Sequence, residues 1–485
     1  MSVLKNLRAK LDNQTLSSVE LTRDYLENIT TLNPTLNALI TVCRKSAFLE
    51  AERADRMIHA GRQHFLTGIP LVHKDNFCTR GVLTSCGSKI LSNFVPPYDA
   101  TIVKKLKDVG MVTLGKANMD EFGMGSTSEH SFYGAVKNPH DPEYVSGGSS
   151  GGSAAAVSAM LAPIATGSDT GGSVRQPAAF TGLTGMKPSY GTLSRFGLIA
   201  YASSFDQAGV LGHFAEDVAY LLESMRGLDD KDGTSVDTDA GFFTRGLSEA
   251  PSRFRIGVDT NLMAELAPKA QDLMQNTITL LKQQGHKIQT IRLPDLKAAV
   301  STYYILAPAE AATNLARFDG VRFGYRSDNA ETLDDLYLNT RSEGFGLEVK
   351  RRIIIGNYVL AASQYDAYYH KAQQIRQKFF EALQQTCQSV DMILLPSAAT
   401  KAMKIGAQQD PVSTYLSDRY TLIANLTGAP AISFPIGSLD KLPFGAQFMA
   451  KPFKDHLILN AVYHFQKESD FHLKRPNIRA SHDAF

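Results

Sequence analysis

Apolar residues recur along this chain at two spacings, about every fourth position and in short unbroken runs, and the two alternate. Near the N-terminus Leu21, Tyr25 and Ile29 return every fourth residue. They give one apolar face to a helix opened by Ser17-Ser18-Val19-Glu20, a capping-box pattern. A second helix is predicted over 46–60, closed by Gly61. Residues 68–76 read as a strand running into a polar turn, with Lys74 at its end. Further on, 154–161 is strongly helical, Pro163 stops it, and 164–166 reads as a buried strand. Strand (254–259), helix (268–285) and strand (287–293) then alternate, which predicts an α/β fold. A long helix carrying Tyr365-Asp366-Ala367-Tyr368-Tyr369 reaches to about Gln388. Closing strands at 429–435 and 443–448 and a last helix over 455–466 complete the pattern. Between them 227–251 is polar and rich in Gly and Asp, the mark of an exposed loop, and no internal repeat is visible.

One stretch stands out from this alternation. Gly147-Gly148-Ser149-Ser150-Gly151-Gly152-Ser153 leads into the 154–161 helix, and Gly167-Ser168-Asp169-Thr170-Gly171-Gly172-Ser173-Val174-Arg175 follows the strand after it. Gly/Ser runs are most often flexible linkers. A linker is not stitched into a helix and a buried strand on both sides. Glycine opens backbone angles closed to other residues, so two such turns let main-chain N–H groups and small hydroxyls crowd one point. A hydroxyl beside clustered backbone donors is the layout that a nucleophile with an oxyanion hole requires.

Composition narrows the field. With 485 residues, 43% apolar and 20% charged, the chain has the make-up of a soluble globular protein with a large core, and length alone suggests two or three domains. Lys plus Arg number 50 against 48 Asp plus Glu, so no basic excess points to direct nucleic-acid binding. Cys43, Cys78, Cys86 and Cys387 form no CxxC pair and no zinc spacing, and they read as reduced, mostly buried thiols; no metal site is expected. A catalytic role for Cys78 or Cys86 has no neighbouring feature in its favour. Met1-Ser2-Val3-Leu4-Lys5 lacks the apolar run of a signal peptide, and no stretch approaches the length of a membrane-spanning helix, so a cytoplasmic protein without membrane contact is expected. Gly110-Met111-Val112-Thr113-Leu114-Gly115-Lys116-Ala117 has the GxxxxGK outline of a phosphate-binding loop, but Ala117 stands where Ser or Thr must hold the metal, and the run is strand-like; it is read as a core strand.

The two Gly/Ser turns together resemble the signature of the amidase-signature hydrolases, and the likeness extends over nearly the whole chain. The resemblance implies one large domain: a mixed central sheet covered by helices on both faces, with 1–62 as a helical N-terminal layer, 63–210 as the signature core and 211–485 as the remainder. It implies a Ser–cis-Ser–Lys triad, with Ser173 as nucleophile, Ser149 (after a cis peptide at Gly148-Ser149) as proton relay and Lys74 as base. Backbone N–H groups around Thr170, Gly171 and Gly172 would form the oxyanion hole, and 118–126, with Gly125 and Ser126, would line the substrate pocket. A lysine titrates near about 10.4 in a model peptide, so Lys74 has to be depressed to serve as a base. His73, where many relatives carry an apolar residue, is read as packed beside it, and a histidine triad is not expected.

Residues 303–369 resemble the branch of the family that hydrolyses glutamine within tRNA-dependent amidotransferases. That branch implies Arg351, in Lys350-Arg351-Arg352, as the contact for the carboxylate of L-glutamine, and Asp418 for its ammonium. Segments 182–189, 194–197 and 203–209 are read as scaffold turns around the pocket. The resemblance further implies a heterotrimer: a kinase/transamidase partner that takes the charged tRNA and uses ATP and Mg2+, a small third subunit, and no cofactor in this chain. The alternative is a stand-alone amidase acting on another carboxamide, which shares the triad without needing Arg351 and Asp418.

Overall fold

A computed structural model describes residues 2–248, 252–407 and 410–478 of the chain. Its strands, in chain order, are β1 (Leu39–Val42), β2 (Pro70–Lys74), β3 (Val112–Ala117), the small hairpin β4 (Lys137–Asn138) and β5 (Asp141–Val145), β6 (Ala165–Asp169), β7 (Thr184–Lys187) and β8 (Gln207–Gly212). They continue with β9 (Arg255–Val258), β10 (Lys287–Thr290), β11 (Met392–Pro396), β12 (Ala431–Leu439) and β13 (Leu442–Met449). All but the hairpin join one eleven-stranded sheet in the order β1-β3-β2-β6-β8-β7-β12-β13-β11-β9-β10. The sheet is mixed: β3, β2 and β6 are parallel neighbours, the strands from β6 across to β11 pair antiparallel, and β11, β9 and β10 are parallel again. Every residue of β2, β3, β6, β7, β8, β11 and β13 is buried, so helices cover both faces of the sheet's middle. Among the described residues no helix is long and apolar enough to cross a membrane.

The helical patterns fall where the spacing predicts them. The first capping box is present, with Ser17 and Glu20 satisfying each other's amides at the head of the helix Ser18–Leu36, which buries Leu21, Tyr25 and Ile29. The predicted 46–60 helix is Arg44–His59, and the last helix is Asp455–Lys467. The phosphate-loop look-alike is the fully buried β3. Its Lys116 points into the core, where Nζ donates to Phe77 O (2.8 Å) and Thr84 Oγ1 (2.8 Å) and pairs with Asp75 (3.3 Å). A lysine so engaged is a staple, not a phosphate ligand.

Three expectations need correction. Segments 182–189 and 203–209 are not merely turns, for they contain β7 and the first half of β8 at the centre of the sheet. Thr184-Gly185-Met186-Lys187 and Gln207-Ala208-Gly209-Val210 lack the β-branched run that marks a strand locally, and tertiary pairing decides their state. Small residues are needed because the backbones approach closely: a Cβ on Gly209 would lie 2.5 Å from Met186 O. The strands at the C-terminal end do not close the sheet either, since β12 and β13 lie inside it between β7 and β11. Residues 227–251 are not wholly exposed, for Phe242 and Phe243 are buried ahead of a short helix, Arg245–Ser248. The end of that stretch, 249–251, lies outside the described residues.

The N-terminal layer is held by a carboxylate. Asp217, buried in the helix Ala215–Met225, accepts the amides of Val3 (3.1 Å) and Leu4 (3.1 Å) and the Ser2 hydroxyl at the head of the helix Val3–Asp12. These are amides that a helix start leaves without partners, so an acidic side chain there satisfies them and favours the dipole. Asp217→Ala is expected to lower stability by about 1–2 kcal/mol and to speed hydrogen exchange at Val3 and Leu4. An unchanged urea midpoint with unchanged exchange at those amides would contradict this docking role.

Candidate active site

Because β2 and β6 are parallel neighbours, their C-terminal ends leave the sheet side by side. One end delivers Lys74; the other delivers the turn from Asp169 to Arg175. This is the edge at which sheets of this kind open a crevice.

Lys74 is completely buried. Its Nζ donates to Ser149 Oγ at 2.7 Å, to Ser150 Oγ at 2.9 Å and to Ser168 O at 3.3 Å. Burial depresses its pKa to about 7, against the opposing pull of Asp120 and of Cys86, Asp169 and Asp206. A large neutral fraction therefore exists near neutrality, and a neutral amine accepts a proton. The preceding residue, His73, bonds through Nδ1 to Thr166 Oγ1 (3.1 Å), and burial drives its pKa far down. It is a packed, neutral histidine. The Cys78 and Cys86 thiols are raised by burial and hold their protons.

Ser149 follows a cis peptide bond with Gly148. Gly147-Gly148-Ser149-Ser150-Gly151 has the outline of a Gly-x-Ser-x-Gly elbow, yet the base against Ser149 is Lys74, not a histidine. No side chain fits at position 148, where a Cβ would lie 2.1 Å from Asp120 Oδ2 and 2.8 Å from Thr127 N. Ser150, to which no motif in the sequence assigns a role, accepts from Lys74, donates to Ser168 O (3.1 Å), and sends its amide to Ser173 O (3.0 Å).

The turn that presents Ser173 is built around a buried ion pair. Arg175 Nε and Nη2 reach Asp169 Oδ2 and Oδ1 at 3.1 and 3.0 Å, both side chains fully buried. Its remaining donors go to Thr421 O (2.9 Å), Gln447 Oε1 (2.8 Å) and Asn425 Oδ1 (2.7 Å). Asp169 in turn takes the amides of Gly172 (2.9 Å) and Val174 (3.1 Å), the two neighbours of Ser173. Burial alone would raise the Asp169 carboxyl, but Arg175 outweighs it and holds the group well below the usual range. Gly172, at φ +122°, leaves no space for a Cβ, which would meet Thr421 Oγ1 at 2.3 Å.

The expected oxyanion donors are therefore not equivalent. Gly171 lines the cavity, but the Gly172 N–H is committed to Asp169, and Thr170 spends its hydroxyl on Asp206 (2.6 Å) and is not among the lining residues. Ser173 lines the cavity, and among the described residues no hydrogen bond joins its hydroxyl to Ser149. The two turns are tied by the Ser150 amide instead.

Across from Ser173 the cavity is walled by Gly125, Ser126, Tyr304, Arg352 and Asp418. Arg351 is not there. On the helix Leu347–Leu360 the buried face runs through Glu348, Val349, Arg352, Gly356 and Val359, which turns Arg351 outward onto Glu348. Arg352, one residue on, lies in the wall between the rings of Tyr201, Tyr304 and Tyr415, at 5.5, 5.3 and 5.6 Å. Asp418 accepts from Tyr304 Oη (3.0 Å), and burial pushes its pKa up to about 7. Lys350-Arg351-Arg352 marks the right cluster but not the register, because three adjacent cations carry no phase of their own. Tyr304 leaves no signal in the sequence that sets it apart from Tyr303 or any other core aromatic. The cavity itself is about 10 Å³, room for about one water.

A family model described as Amidase matches residues 20–459. The chain is 56% identical over 467 residues to the A subunit of glutamyl-tRNA(Gln) amidotransferase from Francisella tularensis subsp. tularensis, covering 96% of this chain and 97% of the relative. It is similar to the crystal structure of the A subunit of glutamyl-tRNA(Gln) amidotransferase from Thermotoga maritima (TM-score 0.78, 36% identity, 98% of this chain and 96% of that one). It also resembles the peptide amidase of Stenotrophomonas maltophilia (TM-score 0.83, 27% identity, 98% of each).

The ion pair yields a direct prediction. Arg175→Met leaves Asp169 buried without its partner and is expected to cost about 3–5 kcal/mol, read as a fall in the urea midpoint. A variant as stable as the parent would mean that the pair does not shape this turn.

Proposed function

The chain belongs to the amidase family, and from that premise we propose that it is the glutamine-hydrolysing subunit of a tRNA-dependent amidotransferase. The observation that carries the chemistry is the buried Lys74 with its 2.7 Å bond to Ser149, at the edge of the cavity that Ser173 lines. Neutral Lys74 takes the proton of Ser149, Ser149 takes that of Ser173, and Ser173 Oγ adds to the carboxamide carbon of glutamine. The oxyanion forms beside Gly171 and the amide of Ser173 itself, since Gly172 is already engaged. As the tetrahedral adduct collapses, the proton returns through Ser149 to the leaving nitrogen. Ammonia departs and a glutamyl ester remains on Ser173. Water then repeats the sequence and releases glutamate.

Two opposite charges in one small cavity favour this reading over a stand-alone amidase. Arg352 and Asp418 offer a guanidinium and a carboxylate, which suit the carboxylate and ammonium of an α-amino acid; an amidase for simple carboxamides needs neither. Ammonia freed in this cavity is then consumed by a partner that activates Glu-tRNA(Gln), or Asp-tRNA(Asn), with ATP and Mg2+. A small third subunit completes a cytoplasmic heterotrimer. The chain's formal charge of +2 is consistent with leaving the charged tRNA mainly to the partner.

The test is ammonia release by the chain purified with whatever co-purifies from its own cells, comparing L-glutamine, L-asparagine and simple amides. Glutamine selectivity, raised by ATP and charged tRNA, is expected; preference for another amide by a chain without partners would favour the stand-alone reading. Ser173→Ala should abolish release, and Lys74→Ala should lower it by roughly 10²–10⁴-fold while the fold is kept. Protonated Lys74 cannot act as a base, so the acylation rate should rise as pH increases through about 7 and then level off. A rate that falls over that interval would remove the lysine from this role.

A further inference from the structure

The recognition cavity has an arginine on one helix and an aspartate at the end of another, and a single buried carboxylate connects them. Glu348 Oε1 accepts from Arg352 Nε at 2.8 Å and from Tyr415 Oη at 2.9 Å. Its second oxygen takes Arg351 from the outer side. Burial would raise this carboxyl, but Arg352 and the other donors outweigh it and keep it ionised. Arg352 also gives Nη1 to Tyr201 Oη (2.7 Å), and among the described residues its Nη2 end has no protein acceptor. Tyr415 lies in the helix Pro411–Ser417, three residues before Asp418. Its ring stacks on Tyr304 (3.9 Å between centroids, 21° between planes), and Tyr304 Oη is the donor to Asp418. A closed circuit results: Glu348, Tyr415, Asp418, Tyr304 and Arg352.

We propose that Glu348 is a positioning residue for amino-acid selectivity: it orients Arg352 and, through Tyr415, latches the helix Pro411–Ser417 so that Asp418 faces Arg352 across the cavity. Glu348 does not line that cavity, so it acts through its neighbours. The Tyr415–Glu348 bond ties the helix Pro411–Ser417, which ends at Asp418, to the helix Leu347–Leu360, which carries Arg352.

The inference rests on the reading that Arg352 and Asp418 hold the α-carboxylate and α-ammonium of the substrate, and the experiment separates the two. Steady-state ammonia release would be measured on the co-purified complex with L-glutamine and with butanamide, which lacks both charged groups. Glu348→Gln keeps the shape and loses the charge, whereas Tyr415→Phe keeps the stack on Tyr304 and loses the latch. Each is expected to raise KM for glutamine about tenfold or more, the worth of a bond to a charged group, with kcat changed less than about twofold. The double variant should be no worse than the worse single one, because both break the same circuit. Activity on butanamide should not change. Equal losses on both substrates would reduce Glu348 to a structural role, and an unchanged glutamine KM in both single variants would overturn the proposal. Arg352→Ala serves as the control. If it leaves the preference for glutamine over butanamide intact, the recognition reading fails; if it abolishes that preference while Glu348→Gln and Tyr415→Phe do nothing, only the latch fails.

Discussion

The buried pairing of Asp169 with Arg175 is the interaction on which the site depends. Two charges taken out of water are costly unless each is fully hydrogen-bonded, and here they are. Arg175 spends its donors on Asp169, Thr421, Asn425 and Gln447, while Asp169 collects Arg175, Asn425 and the amides on either side of Ser173. The pair thus fixes the backbone of a turn whose glycines would otherwise leave it free. It also joins the β6 end of the sheet to the 421–425 segment and β13, so the turn bearing Ser173 is held by segments distant in sequence.

Around that fixed point, burial does two different jobs. It lowers the pKa of Lys74 to about 7, making the amine available as a base, and raises that of Asp418 to about 7 while Tyr304 hydrogen-bonds it. Desolvation disfavours the charged form in both cases, so the same physical term moves a base and an acid toward neutrality from opposite sides. Arg352 remains a cation among three tyrosine rings, with Glu348 beneath it. In the catalytic half burial outweighs the carboxylates around Lys74, while the Asp169–Arg175 pair holds the turn; in the recognition half burial acts on Asp418, and Glu348 holds Arg352.

Much of this is legible in the chain. The helices announce themselves through periodicity and caps, as in Ser17-Ser18-Val19-Glu20, because local hydrogen bonds decide them. Lys74, Ser149 and Ser173 are found by resemblance, through motifs whose glycines are forced by close approaches such as that of Gly148 to Asp120. β7 and β8 escape notice because their pairing partners, not their composition, make them strands. Arg352 is missed by one residue, since the phase of the helix Leu347–Leu360 is set by what packs beneath Glu348 and Gly356. Equivalence of the oxyanion donors fails for a similar reason. That Gly172 gives its amide to Asp169 depends on where a side chain three residues away folds back.

Catalysis by this serine–lysine arrangement requires a covalent intermediate at Ser173. Rapid quenching of the co-purified complex with L-glutamine, followed by peptide mass spectrometry, tests it most directly. A glutamyl adduct should appear on the peptide bearing Ser173, within the first turnover, and be absent from Ser173→Ala. An adduct on another residue, Cys86 for example, or full ammonia release with no adduct at any time, would contradict the serine–lysine mechanism.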